Sequence, residues 1–213
     1  MSIDNTASHA DLALPPSGRG MRIGLFGGSF NPPHDGHRLV ARQALKRLGL
    51  DAVWWLVTPG NPLKDHSVLK PLAERIALAR QIIDHPRVRV TGFEAAHGFR
   101  YTYETLAFLR ASLPGRRFVW IMGADNLGQF HHWERWRDIV RLMPIAVYVR
   151  PGHEQAALSS PAAHILAPYR MDETDASILA ETEPPAWMYL TGLKSDLSST
   201  RLRATRPDYA DMP

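Results

Sequence analysis

A loop rich in glycine and histidine carries the residues best suited to chemistry in this sequence. It is the run Gly27, Gly28, Ser29, Phe30, Asn31, Pro32, Pro33, His34, Asp35, Gly36 and His37. Glycines, which have no Cβ, let backbone N–H groups approach an anion closely, and the start of a helix adds positive potential. The two histidines are three residues apart, so both imidazoles can face the same phosphate oxygens and stabilise charge that develops there. The pattern predicts a phosphate-binding loop for phosphoryl or nucleotidyl transfer.

Two other interpretations of this loop remain open. In one, the glycines form a plain turn and the histidines are surface residues, but the dense Gly, Pro and His cluster at a strand-to-helix junction disfavours it. In the other, His34 and His37 ligate zinc. The sequence has no cysteine and no obvious third ligand, and the adjacent His131 and His132 rarely point at one ion. We therefore expect no metal ion held by protein ligands alone.

A second cluster of phosphate-binding residue types lies near the C-terminus. Ser199 and Thr200 are followed one helical turn later by Arg203. Hydroxyls at a helix start cap the helix and bind phosphate, while an arginine pairs with phosphate oxygens. Alone, this would be an ordinary Ser-Thr cap; together with the glycine–histidine loop it favours a functional role.

Alternating strands and helices must position these residues. Apolar runs predict strands at 22–26, 53–58, 88–91, 118–122, 145–149 and 187–190, and helical periodicity predicts helices at 36–48, 72–83, 103–112 and 133–142. A short helix is expected near residue 198, after an irregular stretch that follows residue 152. This alternation predicts an α/β fold, a parallel sheet with helices on both faces, whose ligands bind beyond the carboxyl ends of the strands.

Length and composition limit the classes of protein. The chain has 213 residues, no cysteine and a net charge of +4. We expect a disordered extension over residues 1–20, one domain over 21–213, and a cytoplasmic location, since disulfides and thiolate sites are excluded. The apolar runs are far shorter than the roughly 18 to 20 residues that span a bilayer, so no membrane partner is expected. A homo-oligomer is left open.

The two motifs together resemble a known family. The glycine–histidine loop resembles the Gly-Gly-x-Phe-Asn-Pro-Pro-His-x-Gly-His signature of bacterial nicotinate-nucleotide adenylyltransferases, members of the His-x-Gly-His superfamily. Residues 197–203 resemble the family's Ile-Ser-x-Thr-x-Ile-Arg element, with leucine at two aliphatic positions, and the resemblance extends over 21–206. It implies a Rossmann-like fold with a short C-terminal helical element. It also implies transfer of the adenylyl group of ATP, with Mg²⁺, to nicotinate mononucleotide in NAD biosynthesis.

The resemblance assigns roles to individual residues. Catalysis is assigned to His34, His37 and Arg203. ATP binding is assigned to Gly27, Gly28, Ser29, Phe30, Gly36, Gly123, Asp125, Ser199 and Thr200, with Asp125 on the ribose. Acceptor binding is assigned to Asn31, Lys64, Tyr101, Thr102 and Trp133. In this scheme the Tyr-Thr pair holds the nicotinate carboxylate through backbone amides, and Trp133 stacks on the pyridine ring. A solvated surface lysine at 64 and a core aromatic at 133 remain the alternatives.

Three rival functions remain open. The acceptor could be nicotinamide mononucleotide rather than the acid. Another adenylyl or cytidylyl transferase is the second rival, although such enzymes usually carry Gly-Thr-Phe-Asp in the first motif. The third is a basic nucleic-acid binder, suggested by Arg38, Arg42, Lys46 and Arg47 on the first predicted helix. Such a face is usually only solvated, and no nucleic-acid-binding motif is present, so no nucleic-acid partner is expected.

Overall fold

One parallel sheet forms the centre of the protein. A computed structural model describes residues 7–60, 69–149 and 157–192. Within them, a 7-stranded sheet has the order β3-β2-β1-β4-β5-β7-β6, and every pairing is parallel. The strands are β1 Arg22–Gly28, β2 Ala52–Val57, β3 Val88–Thr91, β4 Arg117–Gly123, β5 Ile145–Tyr148, β6 Arg170–Met171 and β7 Trp187–Leu190. The predicted α/β fold is confirmed.

Helices cover both faces of the sheet. They are α1 Asp35–Arg47, α2 Leu72–Ile82, α3 Phe93–Ala96, α4 Thr102–Ser112, α5 Ala124–Gln129, α6 Trp136–Leu142 and α7 Pro161–Leu166. One core contains Leu106 and Ile139 from α4 and α6, while the opposite core contains Val40 and Ile76 from α1 and α2. All six residues of β2 are buried, because a strand covered on both faces has no solvent side. This is why the central strands are continuous apolar runs in the sequence.

The sheet order creates a crevice beside β1. This strand pairs with β2 on one side and with β4 on the other. The chain therefore continues from β1 towards one edge of the sheet and later returns to build the other edge from β4, which leaves a crevice at the carboxyl end of β1. Ligands of open α/β sheets bind at such a point. Gly27 and Gly28 end β1, and Gly123 ends β4, so the glycine–histidine loop starts at the crevice.

The N-terminal segment differs from the expectation of a disordered extension. Residues 7–20 lie against the domain: Leu12 and Leu14 pack against the two different cores, and Thr91 Oγ1 donates a 2.7 Å hydrogen bond to the carbonyl of Ala13. Two apolar side chains two residues apart are too short a pattern to predict a packed segment. The first six residues lie outside the described residues.

Shorter elements also differ from the sequence interpretation. The stretch expected to be irregular contains α7, β6 and a 3₁₀ segment at Glu173–Glu181. The helix predicted at 133–142 begins only at Trp136, after a 3₁₀ turn at Phe130–His132. These elements span two to nine residues, which gives too little periodicity for their type and bounds to be recognised. In the described part of the chain, no helix has the length and apolar character needed to cross a bilayer.

Candidate active site

A cavity of about 420 Å³ lies at the carboxyl ends of β1, β2 and β4. Six predicted site residues line it: Gly27, Gly28, Ser29, Tyr101, Thr102 and Trp133. Sequence reasoning missed the other lining residues: Thr58, Pro59, Gly60, Glu94, Phe99, Arg100, Trp120, Asn126, His132 and Glu134. The cavity therefore joins the predicted phosphate loop to the predicted acceptor residues, and its volume suits a nucleotide-sized ligand.

Phe30 holds the phosphate loop in an unusual conformation. Its φ of 46° lies in the left-handed region, which costs a non-glycine residue about 1–3 kcal/mol. Its ring is 2% exposed and stacks on Trp55, with centroids 4.8 Å apart and an interplanar angle of 7°. Phe26 adds an edge contact at 5.8 Å. Buried aromatic packing thus stabilises the strained turn, so the role of Phe30 in this structure is to shape the loop.

The glycines of the loop accommodate these aromatic rings. A Cβ on Gly27 would lie 2.4 Å from Trp120 Cη2, and a Cβ on Gly28 would lie 3.2 Å from Phe30 Cε2. The first distance is below any ordinary carbon–carbon contact. Glycine is therefore needed at position 27 for packing against a cavity-lining tryptophan, in addition to any close approach of an anion.

His34 and His37 lie side by side at the start of α1, as their spacing predicts. Their ring centroids are 3.7 Å apart, and the backbone N–H of His34 donates to His37 Nδ1 at 3.2 Å. Because Nδ1 accepts this bond, a neutral His37 carries its proton on Nε2, which makes that nitrogen a donor. Neither ring lines the cavity; His37 packs on Phe30, with centroids 4.9 Å apart, and Gly36 is buried in the first helical turn.

Arg75 ties the loops around the cavity together, although its sequence position gave no sign of this. It is 1% exposed and donates hydrogen bonds to four backbone carbonyls. Three of these bonds, to Ser29, Thr58 and Lys70, are 2.8 Å long, and the bond to Pro59 is 3.4 Å long. A buried guanidinium can do this because its five N–H groups point in fixed, divergent directions.

Asn31, assigned by resemblance to acceptor binding, also holds the loop. It is 6% exposed, and its Oδ1 accepts a 3.3 Å hydrogen bond from the backbone N–H of Lys70. In the part of the chain that the structure describes, its side chain does not line the cavity. This oxygen therefore helps to join the phosphate loop to the segment before α2.

Gly123 and Asp125 lie together at the end of β4. A Cβ on Gly123 would be 2.4 Å from Asp125 Oδ1, so the carboxylate folds back over the glycine at the start of α5. Asp125 is exposed, and neither residue lines the cavity, whereas the neighbouring Asn126 does. The predicted ribose contact of Asp125 would thus be made from the rim.

The acceptor end of the cavity is formed by the start of α4. Glu104 Oε2 accepts hydrogen bonds from the backbone N–H groups of Arg100 at 2.8 Å and Tyr101 at 2.9 Å. The Tyr101 amide is therefore occupied by the cap of its own helix. The first amides inside a helix have no partner within it, so Thr102 N–H is the member of the predicted pair that remains suited to an acceptor carboxylate.

Aromatic rings hold Trp133 at the same end. It makes edge contacts with Phe130 at 5.3 Å and with Trp120 at 6.4 Å. Trp133 is partly exposed and lines the cavity, whereas Phe130 is buried. Trp133 therefore combines core packing with a surface that is accessible from the cavity, and its stacking on the pyridine ring remains a prediction.

Glu94 is an ionisable residue buried in the cavity wall. It is 6% exposed, and Oε1 accepts a 2.6 Å hydrogen bond from Thr105 Oγ1. Burial raises the pKa of this carboxyl group from 4.5 to about 7, although the hydrogen bond from Thr105 acts in the opposite direction. No sequence pattern singles it out, because α3 spans only four residues.

Several predicted residues lie outside the described residues. They are Lys64, Ser199, Thr200 and Arg203. The roles assigned to them remain predictions.

Comparisons with known proteins agree with this fold. Residues 25–205 match the family model described as cytidylyltransferase-like. A protein of Rhizobium meliloti (strain 1021), named probable nicotinate-nucleotide adenylyltransferase, is 57% identical over 186 residues, covering 87% of this chain and 99% of that protein. A protein of the same name from Bradyrhizobium sp. (strain ORS 278) is 58% identical over 183 residues, covering 86% of this chain and 95% of that protein.

A solved structure shares the fold. It is the Plasmodium falciparum nicotinic acid mononucleotide adenylyltransferase complexed with NaAD, with a TM-score of 0.65 and 17% identity, covering 86% of this chain and 83% of that one. The identity and coverage of the bacterial relatives decide the family. This chain belongs to the nicotinate-nucleotide adenylyltransferases, within the cytidylyltransferase-like proteins.

Proposed function

We propose that the protein transfers the adenylyl group of ATP to nicotinate mononucleotide, giving nicotinate adenine dinucleotide and pyrophosphate in NAD biosynthesis. One observation carries this proposal: one cavity of about 420 Å³ is lined both by Gly27, Gly28 and Ser29 of the phosphate loop and by Tyr101, Thr102 and Trp133. A phosphate loop and an aromatic, helix-capped pocket in one cavity suit two nucleotides that must react. We assign the reaction to the cytoplasm, where ATP is available.

The acceptor's phosphate is the nucleophile in this proposal. Its second pKa is about 6, so it is largely ionised near neutral pH and attacks the α-phosphorus of ATP without a protein nucleophile. The enzyme aligns the two anions and stabilises the charge of the transition state. The Nε2–H donor of His37, with His34 beside it, acts on the α-phosphate; Ser199, Thr200 and Arg203 act on the departing pyrophosphate.

The acceptor's pyridine end is held by two contacts, and other residues hold the remaining parts of the substrates. Trp133 stacks on the ring, and the amide of Thr102 donates to the carboxylate at the positive end of α4. Asp125 accepts from the ribose hydroxyls of the adenosine, and Lys64 contacts phosphate. Asn31 contributes to substrate binding through the loop it holds in place.

Mg²⁺ accompanies ATP in this mechanism. Among the described residues, no group of three or more His, Cys, Asp or Glu side chains could hold a metal ion. Mg²⁺ usually keeps several waters and binds through substrate phosphates, so it does not need a full set of protein ligands. One or two hydroxyl oxygens that contact the ion or its waters are enough. Thr58 Oγ1 fits this need: it belongs to a cavity-lining residue and has no hydrogen-bond partner in the described structure. With Ser29, it would hold the ion or its waters, and the ion would neutralise charge on the triphosphate.

The nucleic-acid rival gains no support from the first helix. Arg38 and Arg42 both form ion pairs with Asp84, and Arg47 pairs with Glu173. These arginines already have acidic partners on the protein, so they do not form an uncompensated basic face for a phosphate backbone.

The direct test uses purified protein with ATP, Mg²⁺ and either nicotinate or nicotinamide mononucleotide, with detection of dinucleotide and pyrophosphate. We expect both products with the acid acceptor and a lower kcat/KM with the amide. A preference for the amide would overturn the substrate assignment. Salt-sensitive binding to duplex DNA without pyrophosphate release would favour the nucleic-acid binder.

A further inference from the structure

Glu94 lies in the wall of the cavity at the end assigned to the acceptor. It lines the cavity together with Tyr101 and Thr102 at the start of α4. Its side chain is fixed from behind, because Oε1 accepts a 2.6 Å hydrogen bond from Thr105 Oγ1, one turn further along α4. The carboxyl group and the helix start that suits an acceptor carboxylate therefore share one pocket.

Among the residues that the structure describes, no positive charge compensates this buried carboxyl group. The other charged or titratable side chains lining the cavity are Arg100, Tyr101, His132 and Glu134. Those on or beside α3 and α4 are His97, Tyr103, Glu104, Arg110 and the ion pair of Asp11 with Arg80. Among the described residues, none of these charges contributes to the pKa of Glu94, which burial raises to about 7. An ionised Glu94 would thus be a buried anion with no cation beside it in the described part of the chain.

We propose that Glu94 is a specificity-determining residue, whose carboxyl group meets the substituent on the acceptor's pyridine ring and sets the preference between acid and amide. This inference rests on the proposed function. When neutral, Glu94 donates a hydrogen bond to the carboxylate of the acid acceptor. When ionised, it repels that carboxylate and instead accepts from the N–H₂ group of the amide.

The proposal makes acceptor preference depend on pH. Two carboxyl groups in one buried site cannot both ionise freely, so binding of the acid requires the proton on Glu94. The useful quantity is the ratio of kcat/KM for the acid to kcat/KM for the amide. Both acceptors carry the same phosphate and use the same histidines, so the titration of those groups cancels in the ratio.

The experiment measures this ratio in the wild-type protein, Glu94→Gln and Glu134→Gln, with ATP and Mg²⁺. With a Glu94 pKa of about 7, the protonated fraction falls about tenfold between pH 6 and 8, so the wild-type ratio should fall at least about tenfold. Glu94→Gln is neutral at every pH and should give a constant ratio. Glu134→Gln removes an exposed carboxylate of the same cavity and should keep the wild-type slope.

Thr105→Val provides a second variant that does not alter the carboxyl group itself. It removes the hydrogen bond that lowers the pKa of Glu94, so the fall in the ratio should move to higher pH. A wild-type ratio that is constant over this range, or a slope that persists in Glu94→Gln, would overturn the assignment of Glu94 while leaving adenylyl transfer intact. If neither acceptor is turned over at any pH, the proposed function fails and this inference fails with it.

Discussion

Replacement of Arg75 by methionine should destabilise the protein by about 3–5 kcal/mol. Arg75 is 1% exposed and donates to the carbonyls of Ser29, Thr58, Pro59 and Lys70. A hydrogen bond from a charged donor contributes about 1.5–3 kcal/mol net. Methionine fills a similar volume but donates nothing, and water can replace part of the loss because these four residues are not fully buried. The phosphate loop would also lose its anchor, so KM for ATP should rise.

Arg80 supplies the matched control for this change. It lies on the same helix, but its side chain is 47% exposed and makes one ion pair, with Asp11, whose own side chain is 14% exposed. Arg80→Met should cost less than about 1 kcal/mol, as exposed ion pairs do. Urea denaturation followed by tryptophan fluorescence would compare the two variants. If the free energies of unfolding of Arg75→Met and Arg80→Met differed by less than about 1 kcal/mol, Arg75 would not be the structural link between the loops.

Three further predictions concern the cavity and the first loop. Gly27→Ala should cost about 1–3 kcal/mol, because the new Cβ would overlap Trp120; thermal unfolding measures this, and an unchanged melting temperature would contradict it. His37→Ala should lower kcat about 10²–10³-fold without changing the circular dichroism spectrum, and near-normal turnover would remove His37 from catalysis. For Glu94, the folded pKa of about 7 lies above 4.5, so the native state holds a proton that the unfolded chain releases, and wild-type stability should fall by about 3 kcal/mol as pH rises through this window. In denaturation experiments at a series of pH values, the stability of Glu94→Gln should not show this fall. Parallel stability profiles for the variant and the wild type would contradict the prediction.

The sequence was informative where a pattern is long or chemically dense. Central strands such as β2 are buried on both faces, so they form apolar runs that are visible without coordinates. The glycine–histidine loop combines a turn, a helix start and two imidazoles, and the spacing of His34 and His37 brought their rings together as predicted.

The missed features are those that depend on three-dimensional burial. Arg75 and Glu94 are charged residues that could equally have occupied a solvated face, and only the surrounding loops and helices enclose them. The Tyr101 amide was expected to bind the acceptor, but it donates its hydrogen bond to the carboxylate of Glu104, three residues later, in a helix cap. Leu12 and Leu14 were missed because two side chains give no periodic pattern.

The most direct test of the account is single-turnover product analysis with ATP labelled at the α-phosphate, Mg²⁺ and nicotinate mononucleotide. Attack of the acceptor phosphate on the α-phosphorus predicts that the label appears in nicotinate adenine dinucleotide, with one pyrophosphate released for each dinucleotide and no labelled protein. Label that remains in ATP, or that is trapped covalently on the protein, would contradict the central claim.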